Sequence, residues 1–357
     1  MKDNRKNEHV SLAEHFYPMH AETSSFSNIR FVPQSLPAFD VLDISLTTSF
    51  LGMKQPLPYF INAMTGGSEW TKHVNQKLAQ VAKALQIPMA LGSLSAALKD
   101  ESVADSYTIV RQIYPDGVIL ANLGAGCTAE SAQKAIDLIQ ADALQIHLNV
   151  AQELVMPEGD RHFKKWKQNI LEIIDAIDRP IIVKEVGFGM SRQTIEWLDK
   201  AGVAAIDISG RGGTNFAQIE NYRRKKQQLA DLSSFETWGL TTPEALLEAN
   251  EVQPHAQIIA SGGIKSPLDI IKALALGADA VGISGKILHL AIKDPQHAID
   301  ILHEWNEELI KWMVLLNAQA PKALHQTDLI FEGDLLNWCN HRAIQTKNYS
   351  FRSNYND

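Results

Sequence analysis

Two apolar stretches near the middle of the chain, Gly117–Gly124 (GVILANLG) and Ala143–Asn149 (ALQIHLN), are typical of buried β-strands that end in Gly or Asn. Six more such runs occur, and helical patterns follow most of them. The six are Tyr59–Gly66 (YFINAMTG), Pro88–Gly92 (PMALG), Pro180–Gly187 (PIIVKEVG), Ala204–Gly210 (AAIDISG), Gln257–Gly263 (QIIASGG) and Ala280–Gly285 (AVGISG). Eight alternating strand and helix units predict an α/β fold, a closed (β/α)8 TIM barrel.

The segments outside the eight units are expected to be additions to this barrel. We predict an N-terminal extension over residues 1–55, the barrel over 56–320, and a C-terminal helix and tail over 321–357. Apolar residues from Ile299 to Leu316 predict a long amphipathic helix that Pro321 ends, and a shorter helix is expected around Asp328–Ala343. The last ten residues are polar and are expected to be frayed.

The stretch from Thr214 to Thr242 is too long for a simple connection between a strand and a helix. It carries the basic run Arg223–Lys226. We predict a solvated helix face or a lid over the barrel mouth.

Composition excludes several classes of protein. Hydrophobic residues make up 45% of the chain and charged residues 21%, which is typical of a globular protein rather than a disordered one. The net charge of −8 argues against a nucleic-acid binder, whose footprint is basic. Two cysteines, Cys127 and Cys339, cannot form a disulfide framework, and no signal peptide or membrane span is visible. We expect a cytoplasmic protein.

Polar residues interrupt the predicted strands near their carboxyl ends, where barrel enzymes place their chemistry. Asn122 lies on the third strand, while His147 and Asn149 share one side of the fourth. Each of these alone is more often a satisfied core residue. Lys184 differs, because an ammonium inside an apolar strand is costly unless it has a partner or a function.

Glycine-rich turns follow the last three predicted strands. They are Gly210–Thr214, Ser261–Ile264 and Gly282–Gly285. One such turn would need Gly only for its backbone geometry, but three at the same end of a barrel predict a site for a phosphate-bearing ligand.

Acidic and amide side chains follow the fourth strand in the segment His147–Asp160 (HLNVAQELVMPEGD). Glu153 beside a phosphate site suggests Mg²⁺, although from spacing alone it could equally be the N-terminal charge of a helix. The chain has no zinc-ligand spacing, nucleophile elbow or Walker loop, so covalent Ser or Cys catalysis is not expected.

The chain resembles the type 2 isopentenyl-diphosphate isomerases in a series of motifs in matching order. They are RKNEH from Arg5, NAMTGG from Asn62, GSLSAAL from Gly92, ANLGAG from Ala121, HLNVAQELVMPEGDR from His147, VKEVGFG from Val183, ISGRGGTNF from Ile208 and SGGIKSPLD from Ser261. The resemblance implies conversion of isopentenyl diphosphate to dimethylallyl diphosphate in isoprenoid biosynthesis. It also implies reduced FMN as the acid–base catalyst, NADPH or NADH as reductant, Mg²⁺, and a homo-oligomer (tetramer or octamer).

The resemblance also implies roles for individual residues. For FMN it implies Ala63, Met64, Thr65, Ser93, Asn122, Lys184, Ser209 and Thr214, with the phosphate on Gly262, Gly263, Ile264, Gly282, Ile283 and Ser284. For the substrate it implies Arg5, Lys6, His9, His147, Asn149 and Gln152, and for Mg²⁺ it implies Glu153. Lys184, Gln152 and His147 are the expected catalytic residues, with Lys184 stabilising the anionic reduced flavin and Gln152 relaying protons.

One position departs from the family pattern. Many members carry Arg two residues after the serine that corresponds to Ser93, where this chain has Ser95. Either another cation compensates or the diphosphate binds more weakly.

Two alternative functions predict other residues than those of an isomerase. An FMN-dependent 2-hydroxy-acid oxidase or dehydrogenase would carry His, Gly and Arg where this chain has Ser209, Gly210 and Arg211. A flavin-binding barrel without catalysis would not need Gln152 and Glu153.

Overall fold

A computed structural model describes residues 2–21 and 24–353, with side chains in the first helix described from Lys6 to Met19. The strands are β1 Ile29–Phe31, β2 Thr48–Phe50, β3 Met53–Gln55, β4 Tyr59–Ile61, β5 Met89–Ala90, β6 Ile119–Gly124, β7 Ala143–Leu148, β8 Ile181–Glu185, β9 Ala205–Asp207, β10 Gln257–Ser261, β11 Ala280–Ile283 and β12 Leu329–Phe331. The strands β4 to β11 form a closed parallel barrel, in which β11 pairs with β4 to complete the ring. Each of the eight predicted runs contains one of these strands, so the predicted TIM barrel is confirmed.

Helices surround the barrel and extend it at both ends. They are α1 Lys2–Ala21, α2 Glu69–Leu85, α3 Ser95–Lys99, α4 Asp105–Ile113, α5 Ala129–Ile139, α6 Val150–Val155, α7 Trp166–Ala176, α8 Arg192–Ala201, α9 Phe216–Lys226, α10 Thr242–Val252, α11 Pro267–Ala275, α12 Gly285–Lys293, α13 Pro295–Leu315, α14 Gly333–His341 and α15 Lys347–Ser350. No helix in the described residues is both long and apolar enough to cross a bilayer.

The amino end of the barrel is closed by apolar side chains. An interior layer that includes Phe60, Leu120, Ile182 and Ile259 is buried there, and Phe50 stacks on Phe60 with ring centroids 5.1 Å apart. Phe50 belongs to the hairpin of β2 and β3, which packs across this end. The chemistry of the barrel therefore lies at its other end.

A polar layer lies immediately above this apolar layer. Side chains on one face of a strand recur every two residues, so the next inward positions toward the carboxyl ends lie two residues later. These positions hold a polar residue or glycine on every strand: Asn62, Gly92, Asn122, Gln145, Lys184, Asp207, Ser261 and Gly282. The six polar residues are all buried. This layer of polar residues and glycine forms the floor of the functional site.

A segment before the barrel packs beside a segment after it, outside the ring of strands. Strand β1 pairs antiparallel with β12, with Ile29 opposite Phe331. The predicted C-terminal helices correspond to α13 and α14. The prediction of a frayed tail is wrong as far as residue 353. The backbone N–H groups of Arg352 and Ser353 donate to Oδ1 of Asp328 at 2.6 and 2.8 Å.

Candidate active site at the barrel mouth

A cavity of about 610 Å³ lies at the carboxyl ends of the barrel strands. It brings together most residues that the sequence singled out, namely Lys6, His9, Ala63, Met64, Ser93, Asn122, His147, Asn149, Gln152, Glu153, Lys184, Ser209, Thr214, Gly262, Gly263, Ile264, Gly282 and Ser284. Thr65 and Ile283 are buried beside the cavity and do not line it. The side chain of Arg5 lies outside the described residues.

His147 is held in one orientation by a neighbour in the polar layer. Its Nδ1 lies 2.9 Å from Oδ1 of Asn122, on the adjacent strand. Burial, together with the cations of Lys184 and Lys6, lowers the pKa of His147 to about 3. His147 is therefore neutral near pH 7.

Lys184 is the cation of the polar layer, with only 6% of its surface exposed. Its Nζ donates to the backbone carbonyl of Glu185 at 2.5 Å. The side-chain carboxyl of Glu185 has other partners. Its Oε2 accepts from the backbone N–H groups of Val186 and Phe188 at 2.6 and 2.5 Å. Burial raises the pKa of the Glu185 carboxyl above its usual range. Lys184 thus points a positive charge into the cavity.

The glycine turns form a close-packed cradle that suits an anion. Gly263 has φ +76°, and a Cβ built on it would lie 2.7 Å from the carbonyl carbon of Gly212. Neither position accepts a side chain, so the two turns pack backbone against backbone beside the cavity. The buried hydroxyl oxygens of Ser25, beside Gly212, and of Thr65, beside Gly92, have no hydrogen-bond partner in the described part of the chain. A cradle with orphaned donors fits the phosphate of FMN.

The acidic side of the cavity is organised around Glu153 at the start of α6. Asn149 Nδ2 donates to Glu153 Oε1 at 2.8 Å, and the backbone N–H of Asp160 donates to Oε2 at 2.6 Å. Gln152 Nε2 lies 3.4 Å from Oε1 of Glu220. The described residues contain no cluster of three or more metal-ligating side chains. A single carboxylate fits Mg²⁺ that takes its remaining ligands from substrate phosphates and water.

The N-terminal helix α1 lies across the mouth, a helix that the sequence analysis did not predict. His9 Nε2 lies 2.8 Å from Oε1 of Glu220 on α9. Tyr17 stacks on His289 of α12 with ring centroids 4.2 Å apart, and Lys6 Nζ donates to the carbonyl of Ser93 at 3.3 Å. These contacts bring Lys6 and His9 to the cavity wall.

The basic run on α9 is only partly solvated, which corrects the prediction for Arg223. Its guanidinium is buried and contacts Glu220 at 2.5 Å, Glu158 at 2.8 Å and Glu8 at 3.0 Å. We call these four residues the Arg223 cluster. Because Glu8 belongs to α1, the cluster ties that helix to the barrel.

Cations that the sequence analysis did not single out also line the cavity. They are Lys99, Lys265 and Lys286. Lys99 lies four residues after Ser95 on α3, so both residues lie on the same helix face. Ser95, which stands where many family members carry Arg, therefore has the cationic Lys99 one helical turn away.

Comparisons with known proteins identify the family of this chain. A model of the FMN-dependent dehydrogenase family matches residues 10–118 and 124–330. Isopentenyl-diphosphate delta-isomerase of Latilactobacillus sakei is 47% identical over 345 residues, covering 96% of this chain and 97% of its own. The proteins of the same name from Listeria innocua and Staphylococcus saprophyticus are 46% and 44% identical, covering 96% and 97% of this chain and 96% and 99% of their own.

Solved structures with the same fold are more distant in sequence. An active chimera of (S)-mandelate dehydrogenase superposes with a TM-score of 0.64 at 18% identity, over 91% of this chain and 99% of that chain. A mandelate oxidase superposes with a TM-score of 0.63 at 17% identity, over 91% and 92%. These likenesses show the barrel architecture.

Proposed function

The chain belongs to the FMN-dependent dehydrogenase family, as one of its isopentenyl-diphosphate delta-isomerases, and from that premise we propose which of its residues carry the reaction. The reaction converts isopentenyl diphosphate to dimethylallyl diphosphate, so one proton is added to the terminal methylene and another is removed from the adjacent carbon. The observation that carries the assignment is the buried Lys184 in the polar layer, which lines the same cavity as the glycine cradle.

Lys184, Asn122, Ser209 and the glycine cradle hold FMN in this proposal, together with Ala63 to Thr65 and Ser93. Reduced FMN, when bound, supplies the acid and base of the allylic proton shift. Lys184 stabilises negative charge on the ring system, since its ammonium lines the cavity and donates to a backbone carbonyl rather than to a carboxylate oxygen. Helix α1 covers the mouth and excludes water, which strengthens this electrostatic effect.

The substrate diphosphate lies between α1 and α6 in this proposal. Lys6, His9, His147, Asn149 and Gln152 bind and orient it, as would Arg5, and Glu153 holds Mg²⁺ against its oxygens. Gln152 donates from its amide to Glu220, which holds its side chain at the cavity wall, where we propose that it contacts the substrate during the proton shift. Lys99 supplies the positive charge that Ser95 does not, because it lines the same cavity one helical turn away.

NADPH or NADH keeps the flavin reduced, and the enzyme works in the cytoplasm as a homo-oligomer in this proposal. Because isomerisation leaves the oxidation state of the substrate unchanged, the reductant is needed once and not at every turnover. No observation here favours a second function, since Ser209–Gly210–Arg211 lacks the histidine base of the 2-hydroxy-acid oxidases.

One anaerobic assay tests the proposal. The purified protein is incubated with FMN, NADPH, Mg²⁺ and isopentenyl diphosphate, and product is measured against NADPH consumed. We expect dimethylallyl diphosphate in large excess over oxidised NADPH, and loss of turnover when Mg²⁺ is chelated. Flavin reduction that depends on a 2-hydroxy acid such as mandelate, without isomerisation, would overturn the assignment.

A further inference from the structure

The polar layer contains a buried carboxylate that the proposed reaction does not use. Asp207, at the end of β9, has 0% of its surface exposed. Its Oδ1 accepts from Ser261 Oγ at 2.6 Å and from the backbone N–H of Ser209 at 3.2 Å. Its Oδ2 accepts from Nδ2 of Asn62 at 2.6 Å, across the barrel interior. Both carboxylate oxygens are therefore acceptors.

Three amide side chains continue this contact through the polar layer. Asn62 Oδ1 accepts from Gln145 Nε2 at 3.0 Å, and Gln145 Oε1 accepts from Asn122 Nδ2 at 3.2 Å. An amide that donates through its nitrogen on one side must present its oxygen on the other. The carboxylate at one end therefore fixes the direction of every amide in the series, together with the backbone N–H of Ala63, which donates to Asn62 Oδ1 at 2.8 Å.

The series ends on His147. Asn122 presents Oδ1 to Nδ1 of His147 at 2.9 Å, and an amide oxygen can only accept. Nδ1 must therefore carry the hydrogen. In a neutral imidazole this leaves Nε2 as a bare acceptor that faces the cavity.

We propose that Asp207 is a positioning residue that fixes the tautomer of His147, acting through Asn62, Gln145 and Asn122. The site thereby receives a neutral imidazole whose Nε2 accepts a hydrogen bond or a proton. The inference concerns the state of His147, and its role in turnover rests on the proposed function. The test therefore reads the tautomer directly and does not depend on isomerase activity.

The experiment is ¹⁵N magic-angle-spinning NMR of the whole protein labelled at histidine, with the His147 signals identified by their loss in His147→Asn. The wild type should show hydrogen on Nδ1 and none on Nε2. In Asp207→Asn the new amide must place its NH₂ against either Asn62 or the Ser209 N–H. The first orientation reverses the whole series, sets the Asn62 NH₂ against the Ala63 N–H and moves the hydrogen to Nε2; the second keeps the series but sets two donors together at Ser209. We therefore expect signals from both tautomers in this variant.

A matched control is Glu248→Gln, which also removes a buried carboxylate, one that binds Arg192 and Arg342 on the outer layer. It should leave the His147 signals unchanged. If Asp207→Asn does not fold, Gln145→Met breaks the series at its centre and should also give both tautomers. An unchanged single tautomer in whichever of these two variants folds, or an Nε2–H wild type, would overturn the inference.

Discussion

The Arg223 cluster predicts that one buried guanidinium holds α1 over the active site. Replacing it in Arg223→Met keeps most of the side-chain volume but removes the contacts to Glu220, Glu158 and Glu8. Glu220 has a fully buried side chain, and among the described residues it would keep only the His9 ring and the Gln152 amide as partners.

The expected cost follows from this burial. Removing one partner of a buried ion pair costs about 3–5 kcal/mol, because the remaining charge is left without compensation. The exposed pair of Lys134 and Glu130 is the matched control. Its atoms lie 2.7 Å apart, but the side chains are 64% and 77% exposed. Lys134→Met should therefore lower the unfolding free energy far less than Arg223→Met does.

Urea unfolding and amide hydrogen exchange measure the two parts of this prediction. Arg223→Met should lower the unfolding free energy by several kcal/mol and speed exchange in α1 more than in the barrel strands. Replacing both charges in Arg223→Met/Glu220→Met should recover part of the loss, because no unpaired carboxylate remains. A loss of unfolding free energy below about 1 kcal/mol in Arg223→Met, or amide exchange in α1 as slow as in the wild type, would refute the reasoning.

Four further results are expected. Lys184→Met should fold and bind FMN but lose about 10²–10³ in turnover, and near-wild-type turnover would remove Lys184 from the mechanism. Lys99→Met should raise KM for isopentenyl diphosphate about tenfold with little change in kcat, and an unchanged KM would contradict compensation by this cation. Gly263→Ala should weaken FMN binding in equilibrium dialysis by about tenfold or more, whereas Gly202→Ala, at φ +87° with open space around it, should not. Burial alone would raise the pKa of Glu220, but its contacts with His9 and Arg223 outweigh burial and hold the pKa below its usual value. Glu220 therefore stabilises the fold fully above about pH 4.3, the usual pKa of an unfolded Glu, and this stabilisation is lost as the pH falls through its lower folded pKa. The difference between the urea midpoints of the wild type and Glu220→Gln should decrease over that pH range.

The barrel was predictable because each of its strands has the same recognisable pattern in the sequence. Each is a short apolar run that ends at Gly, Asn or Ser, and eight repeats of one pattern outweigh the ambiguity of any single run. The polar positions Asn122, His147 and Lys184 were visible as interruptions of those runs.

Asp207 was missed although the same argument applied to it. It interrupts the run AAIDISG as Lys184 interrupts PIIVKEVG, two residues beyond an apolar inward position. Counting in steps of two from that layer would have found it, along with Asn62 and Gln145. Which amide faces which could not be predicted, because the contact between Asn62 and Asp207 crosses the barrel interior.

Helix α1 could not be predicted for a different reason. Its apolar residues do not form a stripe at helical spacing, and Pro18 lies inside it. Contacts with α9 and α12, such as those of His9 and Tyr17, hold this helix in place. Such contacts join positions far apart in sequence, which local patterns do not report.

The apolar seal formed by Phe50 and Phe60 at the amino end of the barrel has a kinetic consequence. Ligands that reach the cavity from the α1 side must also depart from that side. In the proposed function, NADPH or NADH and the diphosphate substrate would both enter from this side, so each would hinder the entry of the other. An excess of substrate should therefore slow the reduction of FMN by NADPH.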